Sequence, residues 1–135
     1  MSRAGSLPWA AKARLAARIG GTFLLVHLRL RREPLPGVVE SFAGRDRGGI
    51  PRLEAKRLSR IVHGTLHLGP VRPRCLVNAL VLFRLLRAQG DAAELVIGLP
   101  HDPRDHEAHA WVEVEHIDVG PPPGKGSHEE LARYR

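Results

Sequence analysis

Between Leu76 and Ala88 the chain reads LVNALVLFRLLRA, with Asn78, Arg84 and Arg87 its polar residues. Leu76, Ala79, Leu80, Phe83, Leu85 and Leu86 recur at helical spacing, yet they cover most of the circumference. A helix of that kind has little face to give to water, so other elements must cover it on most sides. Gln89-Gly90-Asp91 stops it, glycine being a common C-terminal signal. AELVIGL, from Ala93 to Leu99, and AHAWVEV, from Ala108 to Val114, then read as strands. On the second, His109, Trp111 and Glu113 share one face; Ala108, Ala110, Val112 and Val114 share the other. Glu115-His116 is a tight turn into a short strand, Ile117 to Val119. The expected class is α+β, a central helix packed on a small antiparallel sheet.

The rest of the chain must supply the cover. At 135 residues it is one domain, 1–135, with a helical N-terminal extension and loop over 1–50 and a core over 51–135. Aromatics are only 4% of the chain, so the core must be Leu, Val, Ile and Ala. Trp9 to Ile19 has helical apolar spacing, Gly20-Gly21 interrupts it, and Thr22 caps a second run to Leu30. Pro34 to Ile50 reads as a loop with one helical turn at Val38 to Phe42. Pro51 opens a helix whose stripe is Leu53, Arg57, Leu58, Ile61, Val62, Thr65 and Leu66. The Pro/Gly segment after Val119 is irregular, and Ser127-His128-Glu129-Glu130 has the form of a capped final helical turn.

The formal charge is +7, and the first 32 residues contain no acid. That balance favours an acidic partner. Much of the charge sits in Arg29, Arg31, Arg32, Arg52, Lys56, Arg57 and Arg60, with no interleaved aromatics of the kind that stack single-stranded nucleic acid, so no nucleic-acid partner is expected. It is read as a solvated face or a surface for a peptide or protein. The apolar run at Thr22 to Leu30 is far below the ~20 residues of a membrane span. An acid-free start also raises an amphipathic targeting or membrane-surface segment, but no small-residue cleavage pattern follows it. A single cysteine rules out an internal disulfide, and the expected location is the cytoplasm.

That cysteine, Cys75, stands at the start of the apolar helix. Free backbone N–H groups and the helix dipole there favour a thiolate and can donate to an oxyanion; Arg72 and Arg74 add positive charge. His109 is the candidate base. Position alone also allows a small buried hydrophobe and a hydrogen-bonded strand histidine. Two rival sets are metal-like. His63 and His67 lie four apart on a helix, without the glutamate of a zinc-peptidase motif. His101, Asp102, Asp105, His106 and His109 form a histidine-rich loop whose spacing matches no strong metal motif, so no metal and no cofactor are expected.

RCLVNALVLFRLLRAQGDAAELVIGL followed by HAWVEV resembles the transglutaminase-like superfamily, and within it the leader peptidases of lasso-peptide biosynthesis. The resemblance covers about Leu68 to Pro123. It implies a papain/transglutaminase-type core with a Cys-His-Asp triad that removes the leader from a ribosomal precursor peptide. It also implies a separate leader-recognition protein and a macrolactam-forming cyclase as partners. Two alternatives stay open: a silent relative that binds peptide or protein, and an acyl transferase on the same core. Asp118 is the candidate third member. With the turn at Glu115-His116, however, Asp118 faces Glu113 and lies roughly 13 Å along the strand from the level of His109, at ~3.3 Å per residue. A bulge or wider turn would bring it closer; otherwise a carbonyl or water orients the imidazole.

Overall fold

The computed structural model describes residues 8–42, 52–68, 74–102, 104, 108–121, 126 and 128–135. Four helices precede four strands: α1 (Trp9–Arg32), α2 (Leu35–Ser41), α3 (Ala55–Leu66), α4 (Cys75–Ala88), β1 (Ala93–Pro100), β2 (His109–Val114), β3 (Ile117–Gly120) and β4 (His128–Tyr134). The strands form one antiparallel sheet in the order β3-β2-β1-β4. The fold is α+β. α4 lies between that sheet and the other helices, packing on β1 and β2 with one side and against α1 and α3 with others. This is the placement its apolar circumference demands. Val77, Ala79, Leu80, Val81, Leu82, Phe83, Leu85 and Leu86 are all buried.

Chain reversal after α4 uses backbone alone. Gly90 takes φ 98°. Its N–H donates to Arg87 O at 3.1 Å and the Asp91 N–H to Leu86 O at 3.0 Å, a Schellman closure that satisfies the last carbonyls. Gln89 then ties this end to the chain ahead of α3. Its Nε2 donates to Leu53 O at 2.7 Å and its Oε1 accepts from the Leu53 N–H at 3.2 Å.

Four expectations change. Gly20-Gly21 does not break α1, which runs unbroken for 24 residues. Leu15, Ile19, Thr22 and Val26 are buried along one continuous stripe, and that packing outweighs the helix cost of two glycines. The helical turn at Val38 to Phe42 is the end of a longer helix, α2, which begins at Leu35 just after Pro34. α3 begins at Ala55 rather than near Pro51, which lies outside the described residues; Leu53 is held extended by its two bonds to Gln89. The expected final helical turn is instead strand β4, because β1 offers it a full antiparallel ladder from Leu95↔Tyr134 to Pro100↔His128. The N-terminal helices are no separate layer. Leu15, Ile19, Val26, Val38 and Phe42 share one hydrophobic core with α4, β1 and β2.

Candidate active site

Cys75 is the first residue of α4 and is half-buried. Arg74 at the N-cap provides no side-chain cap, so the opening N–H groups of the helix are not closed off by that residue. The Cys75 Sγ lies 4.0 Å from the carbonyl oxygen of Ala108. Ala108 immediately precedes β2, and His109 is the first residue of that strand. The start of the buried helix and the start of the histidine strand therefore meet. They do so because α4 packs directly over β2, whose Ala110 and Val112 belong to the shared core.

His109 is half-buried and stands opposite Gly98 on β1. Its ring meets the ring of His128 edge-on, with centroids 4.6 Å apart. His128, buried at the first position of β4, also lies 6.1 Å from the Trp111 ring. Trp111 fills the space above Gly98: a Cβ at that glycine would fall 2.8 Å from its ring. The indole N–H donates to Glu113 Oε2 at 2.9 Å, and Arg133 donates to Glu113 Oε1 at 3.0 Å. Glu113 is 1% exposed, so its charge depends on those two donors. Arg133 is pushed further above its usual pKa, first by the hydrogen bond to Glu130; burial opposes this and Glu113 adds to it. A polar chain thus runs from β4 through Glu113 to Trp111, and ring contacts continue it through His128 to His109.

Asp118 stands elsewhere. Glu115 and His116 both take positive φ, 52° and 65°, as the two central residues of a tight hairpin turn. That turn pairs Val114 with Ile117 and Glu113 with Asp118. A bulge follows, at Val119, and moves Gly120 opposite Val112. Because it comes after Asp118, it leaves the aspartate opposite Glu113 rather than near His109. Asp118 Oδ1 accepts the Gly120 N–H at 2.8 Å, and the residue lines a groove with Lys56, Ser59, Arg60 and His63 of α3. The structure brings Cys75 close to the strand that carries His109, and it does not bring Asp118 to them.

His63 and His67 stack on α3 with ring centroids 4.0 Å apart. The His67 Nδ1–H donates to His63 O at 2.7 Å, and Asn78 Nδ2 donates to His63 Nδ1 at 3.2 Å. These bonds give the pair a packing role between α3 and α4. In the histidine-rich loop, His101 and Asp102 are exposed, and Asp102 accepts the Arg104 N–H at 2.9 Å. Asp105 and His106 lie outside the described residues. Among the described residues, no three His, Cys, Asp or Glu side chains come together in a way that could hold a metal ion. No described helix is long and apolar enough to cross a membrane.

The sequence reading missed His128, Glu113 and Arg133. β4 has no clean alternation, and the cap-like Ser-His-Glu-Glu masks it locally. Its pairing is visible only once β1 is known to sit inside the sheet.

Comparison with curated proteins and comparison with solved structures returned no significant match. A family model does match, that of the transglutaminase-like superfamily, over residues 22–133. The span reaches from the middle of α1 to the end of β4, wider on both sides than the stretch carrying the visible resemblance. With most of its length matched and a helix-start cysteine beside a strand histidine, the chain belongs to the transglutaminase-like superfamily.

Proposed function

We propose that the chain is a cysteine peptidase that removes the leader from a ribosomally made precursor peptide, as in lasso-peptide maturation. Cys75 is the nucleophile and His109 the general base. The observation that carries this reading is the approach of Cys75 Sγ to the Ala108 carbonyl, one residue before His109. His109 takes the thiol proton as sulfur attacks the scissile carbonyl carbon, and the opening N–H groups of α4 receive the oxyanion. Collapse expels the amine, which leaves with the proton from His109, and a thioester remains. Water then adds with His109 again as base, releasing the acid and restoring the thiol. An amine in place of water would make the same site an acyl transferase. A separate protein presents the leader, a macrolactam-forming cyclase takes the product, and the setting is the cytoplasm.

The distance of Asp118 from His109 favours a second reading, a catalytically silent relative that binds peptide. One experiment separates the two. The purified chain is incubated with a leader-bearing precursor peptide and a candidate recognition protein, and cleavage is followed by mass spectrometry. The parent should release the leader, and Cys75→Ala and His109→Ala should each lower the rate by about 10³-fold or more. Asp118→Asn should stay close to the parent. A loss of about 10⁴-fold, the size expected when a triad acid fails, would mean Asp118 reaches His109 in the working enzyme. A parent that binds the precursor yet leaves it intact would establish the silent relative.

A further inference from the structure

α1 and α3 lie side by side and leave a groove of about 640 Å³ between them. Leu15 and Ala16 of α1 and Ile61 and Thr65 of α3 form its floor; Lys12, Arg57 and Arg60 form its rim. Neither helix contains an aspartate or glutamate. On α3 the groove-facing residues Arg57, Ile61 and Thr65 follow one another at i, i+4 and i+8, a single stripe. Lys56, Ser59 and His63 line a second groove, toward Asp118 of β3, and Arg60 borders both. The α1 side of α3 therefore sets an apolar strip beside cationic side chains.

Trp9 is a second, independent pointer. It is 82% exposed at the first turn of α1. Counting along the helix, Trp9, Lys12 and Ala16 fall at i, i+3 and i+7, so Trp9 belongs to the side of α1 that carries two of the groove residues. Tryptophan is on average a well-buried residue, and tryptophan and arginine are each enriched among the side chains that dominate protein interfaces.

We propose that this groove docks an acidic amphipathic helix of a partner protein, with apolar residues at i, i+3, i+4 and i+7 on the Leu15–Ile61 floor and carboxylates against Lys12, Arg57 and Arg60. A helix is the natural third member beside two packed helices, and its apolar stripe matches an apolar floor in a way that a polyphosphate cannot. The site is separate from Cys75 and His109, so it stands whether or not the chain cleaves peptides.

The test uses the full chain and a synthetic peptide of about 18 residues, long enough to form a helix, built of leucine and glutamate with the leucines in one stripe. Binding is read by calorimetry and by Trp emission: Trp111 is already buried, so a blue shift reports Trp9. The striped peptide should bind, and one of identical composition with scattered leucines should bind at least about tenfold more weakly. Arg57→Glu with Arg60→Glu should also weaken binding about tenfold or more, whereas Arg31→Glu with Arg32→Glu, the same change of charge at the far end of α1, should not. Ala16→Arg is the decisive variant, because it fills the floor while adding a positive charge. Docking in the groove predicts weaker binding; diffuse attraction to a basic protein predicts stronger binding. Stronger binding, equal affinity for the scattered peptide, or binding only to phosphatidylglycerol vesicles would each overturn the proposal.

Discussion

Gly98 fixes how closely three strands can approach around the candidate site. A Cβ there would lie 2.7 Å from Glu129 O and 2.9 Å or less from two Trp111 ring carbons. One obstacle is backbone and the other is a ring locked by its bond to Glu113, so neither yields easily. Gly98→Ala should cost about 2 kcal/mol, visible as a lower urea midpoint. It should also disturb His109, which stands directly opposite on β2. The residues themselves differed in how readily they could be read. Cys75 and His109 mark the starts of a strongly apolar helix and of a β-rich run, which are local signals. The distance of Asp118 from His109 followed from the two-residue turn, whereas the bulge at Val119 did not. His128 owes its position to a long-range pairing that nothing in its own neighbourhood announces.

Among the elements, those with a dominant period were legible: α4, β1 and β2 were expected within about a residue of where they lie. α1 was not, because glycine weakens a helix locally while tertiary burial acts along its whole length. The contact between α3 and α4 carries a pH dependence. His63 has its pKa lowered from the ordinary 6.5, first by burial and then by the neighbouring His67. Asn78 donates to its Nδ1, which must be unprotonated to accept. The unfolded chain therefore binds this proton more readily than the folded one, so the contribution is present above pH 6.5 and declines as pH falls through the lower folded value. Urea midpoints measured from pH 7.5 to 5 should fall at the acid end for the parent. In His63→Gln that slope should be shallower. An identical slope would mean the contact does not feel the charge.

For the molecule as a whole, the key feature is that β1, first of the strands in sequence, becomes central only when β4 joins it. Without β4, Trp111 loses the neighbouring His128 ring and Glu113 is left buried without Arg133, a loss on the order of 3 kcal/mol from the charge alone. A chain ending at Gly120 should therefore show a collapsed, poorly dispersed NMR spectrum. Adding residues 126–135 as a free peptide should restore native dispersion through the vacant edge of β1. Fold class and the helix–strand meeting were accessible from local pattern; closure of the sheet was not, since it joins residues some forty apart. That order also acts in time. During synthesis Cys75 and His109 are added to the chain before His128 and Arg133, so thiol and imidazole are made ahead of the strand that completes the framework around them. Until β4 pairs with β1, the sheet that carries His109 lacks the strand that brings His128 against its ring.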